Sequence, residues 1–251
     1  MMLRKLLSIL LLCPVLQARV VHVPSTEAPT IQTGINRAIL NDTVLVADGV
    51  YTGTGNYNID LKRRSVLMSE HGPEYTIIDC QGSSSDRRRA FLFWRGEDSS
   101  TVVEGFTIRG GYAPADFEDQ YHDLYSAGGA ISFLNNSSPV IRNCTFTLNH
   151  ADRCGGAVLC AGSSPSFVDC LFEANDADWE GGAVCACEGS NPEFSGTSFL
   201  LNTAFEGGGV FTSGTGAIFT DCIMSQNMCN GGGGVGSDRD FERLSCRLCR
   251  F

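Results

Sequence analysis

Lysine is almost absent from the sequence: Lys5 and Lys62 are the only two in 251 residues. The stretch from Gly128 to Val235 has no lysine, two arginines and a single histidine, His150. A reaction that needs a basic side chain for proton transfer therefore has few candidates in the central part of the chain. We expect this part to act as a scaffold rather than as a catalyst.

Long apolar runs are also missing, except at the start of the chain. Residues 1–18 carry Arg4 and Lys5, followed by an apolar run from Leu6 to Leu12. This run is shorter than the roughly 20 apolar residues of a membrane helix, and its basic start is typical of a secretory signal peptide. The sequence therefore predicts a secreted or cell-surface protein without a membrane span.

The balance of charge argues against two classes of partner. Without residues 1–18, the chain keeps 16 of its 18 Lys and Arg residues against 28 Asp and Glu, a net charge of −12. Nucleic acid and anionic membranes repel such a surface. The partner that we expect is a polysaccharide or a cell-surface protein.

Two short motifs recur through the second half of the chain. A glycine pair followed by small and β-branched residues appears at intervals of 27, 26, 26 and 25 residues, starting at Gly128, Gly155, Gly181, Gly207 and Gly232. Between the pairs, Phe-x-x-Asn starts at Phe146, Phe172 and Phe199, and a variant starts at Met224. A fixed period of about 26 residues is the sequence signature of a solenoid.

Large apolar residues occupy fixed positions when the repeats are laid over one another. One position holds Ile141, Phe167, Phe194 and Phe219, and another holds Phe146, Phe172, Phe199 and Met224. Inward stacking of these residues from strand to strand would build an elongated core. No heptad or helical period competes with this interpretation.

One polar position is the same in every repeat: Asn149, Asn175, Asn202 and Asn227. Asparagine tolerates left-handed turns, and stacked amides can hydrogen-bond from one coil to the next, so we predict a structural ladder.

Cys144, Cys170 and Cys222 also share one position, and we interpret them as small buried apolar residues. Local disulfides among Cys160, Cys185 and Cys187 remain open.

The repeats define the expected domain organisation. An N-terminal segment spans residues 19–41, in which Thr30 caps a short helix whose apolar stripe is Ile31, Ile35 and Ile39. This helix would cover one end of the solenoid, which spans residues 42–235. Residues 112–127 interrupt the rhythm and predict a projecting loop. Residues 236–251 depart from the repeat and are either a cap or the mark of a truncated sequence.

The sequence resembles the right-handed parallel β-helix proteins of the pectin-lyase-like group. Its opening, from Ile31-Gln32-Thr33-Gly34-Ile35 to Asp48-Gly49-Val50-Tyr51, is similar to the start of that fold. The alternation of Gly-Gly-Ala-Ile/Val with Phe-x-x-Asn is also similar to the repeats of chlamydial polymorphic outer membrane proteins, which are adhesins. The resemblance implies an all-β fold: a right-handed, single-stranded parallel β-helix of about 26 residues per coil with a short N-terminal capping helix.

The resemblance to enzymes of this group implies candidate catalytic residues in this chain. Their lyases use a basic residue as the proton acceptor and acidic residues to hold calcium, which points to Arg109 or Lys62 as the base. Hydrolases need two carboxylates, and Asp169 and Asp221 share a position two coils apart, at roughly 10 Å. The alternative for this pair is exposed surface carboxylates.

No cofactor is predicted: an acidic surface without bound metal is the default interpretation, and calcium is the alternative. Stacked carboxylates repel unless they are solvated or share a cation, which makes Asp176, Asp178, Glu180 and Glu206 calcium candidates. The loop offers a second acidic set in Asp116, Glu118, Asp119 and Asp123, although neither set has the spacing of a known calcium loop.

The function that we predict is adhesin-like binding without catalysis. The predicted binding residues lie in the projecting loop: Asp116, Glu118, Asp119, Tyr121, His122 and Asp123. The alternative is a polysaccharide lyase or glycoside hydrolase of the same fold that acts on acidic polysaccharide.

Overall fold

A computed structural model of the protein describes residues 18–61, 64–113, 127–214, 216–232, 235–237 and 245–247. The first half contains one helix and nine strands: β1 (Val20–Val23), α1 (Ile31–Arg37), β2 (Thr43–Val46), β3 (Gly49–Tyr51), β4 (Val66–Ser69), β5 (Thr76–Asp79), β6 (Phe91–Phe93), β7 (Val102–Glu104), β8 (Thr107–Arg109) and β9 (Tyr112–Ala113). The regular coils follow: β10 (Ile131–Phe133), β11 (Val140–Arg142), β12 (Thr145–Thr147), β13 (His150–Ala151), β14 (Val158–Ala161), β15 (Ser166–Val168), β16 (Leu171–Glu173), β17 (Asp176–Ala177), β18 (Val184–Cys187), β19 (Glu193–Ser195), β20 (Ser198–Leu200), β21 (Thr203–Glu206), β22 (Val210–Thr212), β23 (Ile218–Thr220), β24 (Ile223–Ser225), β25 (Met228–Gly232), β26 (Val235–Ser237) and β27 (Ser245–Arg247).

Four parallel sheets run along the stack, and each coil contributes one strand to each sheet in the regular region. The strand orders are β1-β2-β4-β7-β11-β15-β19-β23-β27, β26-β22-β18-β14-β10-β6, β24-β20-β16-β12-β8-β5-β3 and β25-β21-β17-β13-β9. From β2 onward, each strand therefore pairs with the equivalent strand of a neighbouring coil rather than with the next strand in sequence. The predicted parallel β-helix is confirmed.

The core is a stack of phenylalanine rings inside the coils. Phe146, Phe172 and Phe199 pair in register on β12, β16 and β20, and their rings lie parallel with centroids 4.6 and 5.0 Å apart. A second column of Phe167, Phe194 and Phe219 meets the first edge-on. Each such aromatic pair adds about 0.5–1.5 kcal/mol beyond the burial of its area. The two predicted apolar positions thus lie at the centre of the fold.

The repeated asparagine forms a ladder of hydrogen bonds at one corner of the coil. Nδ2 of Asn149 donates to Oδ1 of Asn175 at 2.9 Å, Asn175 donates to Asn202 at 3.0 Å, and Asn202 donates to Asn227 at 2.9 Å. Each Oδ1 also accepts the backbone N–H of the preceding asparagine. The ladder therefore ties four consecutive coils together.

A second ladder, of buried serines, was not predicted. The backbone N–H of Ser137 donates to Oγ of Ser163 at 3.1 Å, and that of Ser163 donates to Oγ of Ser190 at 3.0 Å. All three lie two residues before a proline, a pattern that repeats in the sequence with the same period. This recurrence is the signal that could have found the ladder.

The glycine pairs are required by the geometry of the turn that follows β17 and its equivalents. Gly181 has φ +66°, a left-handed conformation that favours glycine. Gly182 lies so close to the next coil that a Cβ atom would approach the Gly208 carbonyl oxygen to 2.2 Å. The first glycine of the pair thus serves backbone conformation and the second serves close packing.

The structure confirms the predicted N-terminal helix but ends it before Ile39. Thr30 caps α1, and its hydroxyl accepts the N–H of Thr33 in a capping box. The helix ends at Arg37, so the prediction that Ile39 belongs to the apolar stripe is wrong: Ile39 is 46% exposed beyond the helix end. Residues 20–23 of the N-terminal segment, for which no strand was predicted, form β1 and continue the first sheet beyond β2.

The chain beyond residue 235 does not leave the solenoid at once. β27 pairs with β23, and β26 pairs with β22, so residues of the predicted tail 236–251 add strands to two of the sheets. Backbone pairing extends the stack there although the sequence repeat has faded.

None of the helices in the described ranges has the length and apolar composition needed to cross a membrane.

Candidate functional site

Polar side chains gather on the outside of the coil beside the asparagine ladder. Tyr112, His150 and Asp176 occupy the same register on β9, β13 and β17. Their successors Ala113, Ala151 and Ala177 point inward and are buried. Because side chains alternate along a strand, the three polar groups face outward. Together with Asp152 and Asp178 they form what we call the acidic corner.

The acidic corner is a connected network centred on His150. Its Nδ1 lies 2.9 Å from Oδ2 of Asp176, and its Nε2 lies 3.1 Å from Oδ1 of Asp152 and 3.9 Å from Oδ1 of Asp178. The Tyr112 hydroxyl donates to Asp152 at 2.8 Å. The rings of Tyr112 and His150 also pack against each other, with centroids 4.7 Å apart.

These contacts shift the pKa values of the corner in a consistent direction. The hydrogen bond that His150 makes to Asp176 raises the pKa of His150 above its usual value, and its bond to Asp152 adds to this shift. Burial and the bond to Asp152 raise the pKa of Tyr112 to about 12, while burial raises the pKa of Asp178. The corner thus favours an imidazolium held among carboxylates and a neutral tyrosine, which is a poor general base.

The predicted calcium ligands do not converge. Asp176 and Asp178 lie with His150, and one ligand atom of each falls within 4.8 Å of the others. Glu180 lies instead with Cys154 and Cys185. Glu206 pairs in register with Glu180 on the following coil. The four carboxylates are therefore distributed over different donor sets, and the nitrogen and sulfur atoms among these donors are not the hard oxygen ligands that calcium prefers.

An exposed aromatic pair borders the acidic corner. Trp179 and Phe205, on adjacent coils, are 61% and 44% exposed, and their rings meet edge-on at 5.9 Å. The backbone of Trp179 is held from both sides, because its N–H donates to the Arg153 carbonyl and its own carbonyl accepts the N–H of Glu206. We call Trp179, Phe205 and the flanking Asp178 the aromatic edge.

The sequence did not single out the aromatic pair, although a signal for it exists. Glu180 and Glu206 align one residue before the glycine pairs, and the residue before each of them is aromatic. The predicted loop 112–127 begins too early, because Tyr112 and Ala113 form β9, and the interruption after Ala113 hides the register of Tyr112 with His150.

The predicted catalytic residues are not brought together. Arg109 forms an ion pair with Asp79 of the preceding coil, with its Nη2 2.9 Å from Oδ2. Asp169 and Asp221 are exposed and have φ of +53° at equivalent turns, and Gly196 occupies the turn between them. This backbone conformation suits Asp, Asn and Gly, which supplies a structural reason for the recurring aspartate.

The remaining predicted site residues lie outside the described residues. These are Lys62 and the loop residues Asp116, Glu118, Asp119, Tyr121, His122 and Asp123. Their neighbours Ala113 and Ala127 are described and buried, and Ala113 directly follows Tyr112 of the acidic corner.

Comparison with known proteins gives a family and no individual relative. The family described as right-handed β-helix region matches residues 65–243, well over half of the chain. No curated protein and no solved structure matches the sequence. The stacked coils, the inward phenylalanine columns and this match together show that the chain belongs to the right-handed β-helix family.

Proposed function

We propose that this protein is a secreted or cell-surface binding protein, without catalytic activity, that recognises a glycan along the aromatic edge. The observation that carries the proposal is the exposure of Trp179 and Phe205 on a backbone hydrogen-bonded to both neighbouring coils. Exposed neighbouring aromatic side chains of this size mark interaction sites, since their burial by a partner is favourable.

The chemistry around the pair favours a glycan over a protein partner. Sugar rings present apolar C–H faces that pack on aromatic rings and hydroxyl groups that donate to carboxylates. Asp178 is more than half exposed beside Trp179, and Asp176 is half exposed on the same strand register as His150. A rigid scaffold limits the entropy lost when the partner binds.

Substitution of the tryptophan tests the proposal. We expect Trp179→Ala to weaken binding to the preferred glycan by about 10-fold or more, because aromatic anchors dominate binding energy. Trp94 is the only other tryptophan, is 43% exposed and packs under Arg95 away from the edge, so Trp94→Ala is the matched control. The measurement is a glycan array followed by calorimetry on purified protein. Equal affinities of wild type and Trp179→Ala would contradict the proposal.

The alternative is a lyase or hydrolase of acidic polysaccharide that uses the acidic corner. Tyr112 beside His150 is the observation that favours it, since such pairs can transfer protons. The raised pKa of Tyr112 and the carboxylate partners on both nitrogens of His150 argue against it. We expect no unsaturated oligouronides from pectate or alginate, with calcium or with a chelator. Product release that disappears in Tyr112→Phe would establish the alternative.

A further inference from the structure

Three cysteines and a glutamate converge beside the aromatic edge. Cys154 and Glu180 form a parallel bridge between successive coils, and Cys185 and Cys187 lie on the next strand, β18. Ligand atoms of Cys154, Glu180 and Cys185 all lie within 4.8 Å of one another. Cys187 follows Cys185 by two residues on β18 and lines the same cavity. We call these four residues the thiol pocket.

The thiol pocket is accessible yet sheltered. Its side chains line a cavity of about 300 Å³ that Trp179 also borders. Cys185 is buried, whereas Cys154, Cys187 and Glu180 are half-buried. An ion could therefore enter from solvent and find its sulfur ligands on rigid strands.

Cysteines elsewhere in the coil show what a purely structural thiol looks like here. Cys144, Cys170 and Cys222 lie in the core, and each donates its S–H to a backbone carbonyl two residues earlier, at 3.2–3.4 Å. None of these three belongs to a group of metal-ligating side chains in the described residues. In the thiol pocket the sulfur atoms instead meet one another and a carboxylate. The residues that stack on Cys185 in register, Leu159 and Phe211, are apolar, so coil packing alone does not require a thiol there.

We propose that the thiol pocket is a zinc site, with Cys154, Cys185 and Glu180 as ligands and Cys187 as the fourth. Zn²⁺ takes thiolate and carboxylate ligands in tetrahedral geometry with Zn–S near 2.3 Å, which sets neighbouring sulfurs about 3.8 Å apart. The ligand atoms of Cys154, Glu180 and Cys185 already lie within 4.8 Å of one another, so they need to close by at most about 1 Å to meet this geometry. Thiolates are soft ligands, which favours zinc over calcium at this position. Binding releases the thiol protons to solvent, and the metal takes their place between the sulfurs.

Metal titration of the reduced full chain tests the site. We expect one equivalent of Co²⁺ to produce a thiolate charge-transfer band, and one equivalent of Zn²⁺ to abolish it. Cys185→Ser should lower the zinc affinity by about 100-fold or more, and Glu180→Gln by about 10-fold. Cys170→Ser is the matched control, because it removes a buried core thiol and should leave zinc binding unchanged. Circular dichroism of each variant checks that the fold persists.

Two results would overturn the proposal. One is reduced, folded protein that gives no thiolate band with Co²⁺ and binds no Zn²⁺. The other is equal loss of affinity in Cys185→Ser and Cys170→Ser. The test is independent of glycan binding, since Trp179→Ala should still bind zinc, so failure of the proposed function and failure of the zinc site are distinguishable.

Discussion

Replacing one asparagine in the middle of the ladder should destabilise the whole coil stack. In Asn175→Ala, the buried backbone N–H of Asn149 loses its acceptor, Oδ1 of Asn175 at 3.2 Å. The Phe146 carbonyl loses the Nδ2 donor at 2.9 Å, and the amides of Asn149 and Asn202 lose their links through Asn175. A buried N–H without an acceptor costs about 1–3 kcal/mol, and each other bond contributes about 0.5–1.5 kcal/mol.

The expected loss in the free energy of unfolding, for one orphaned N–H and three further bonds, is therefore about 2.5–7.5 kcal/mol. At roughly 2–4 °C per kcal/mol for a chain of this size, the melting temperature should fall by about 5–30 °C. The assay is thermal denaturation followed by circular dichroism, repeated as a urea titration. The matched control is Asn227→Ala, since Asn227 is half-buried at the last position of the ladder. A drop of less than about 1 °C in Asn175→Ala, or an equal drop in both variants, would refute the reasoning.

Two further substitutions test other parts of the fold. Because the folded-state pKa of His150 is raised above the unfolded value near 6.5, its contribution to stability is fully present below about pH 6.5 and is lost as pH rises through the folded value. The melting temperature should therefore fall as the pH rises above about 6.5 in wild type and change less in His150→Gln, with exposed His22→Gln as control. Identical pH profiles would contradict the network. Gly182→Ala places a methyl group about 2.2 Å from the Gly208 carbonyl oxygen. The free energy of unfolding measured by urea denaturation should therefore fall by more than about 2 kcal/mol. Gly189→Ala is the control: a Cβ atom there has nothing within 4 Å, so this substitution tests backbone strain alone. Equal effects of the two glycine substitutions would count against the packing argument.

The fold was predictable from the sequence because stacked parallel coils put equivalent residues next to one another. Phe146 and Phe172 share a register, so the sequence period translates directly into a contact. The asparagine position is readable for the same reason, since a ladder needs the same side chain in every coil.

The candidate site was less predictable, because its residues do not recur. His150 and Asp176 occupy one register with different side chains, and their contact depends on the outward orientation of both. Cys154 and Cys185 belong to different registers, yet their sulfur atoms lie within 4.8 Å of each other. The sequence period predicts which residues of successive coils lie next to each other. Contacts between residues of different registers also depend on how the chain turns within each coil, and the period does not give this.

The strands on either side of residues 114–126 show how the coil tolerates added length. Before this segment, Tyr112 and Ala113 pair in register with His150 and Ala151; after it, β10 pairs in register with both β6 and β14. Extra chain at this corner thus leaves the strands on either side unshifted. The corner is therefore a natural splice point, where segments of different length or specificity could be exchanged during evolution, or grafted by design, without redesign of the stack that presents them.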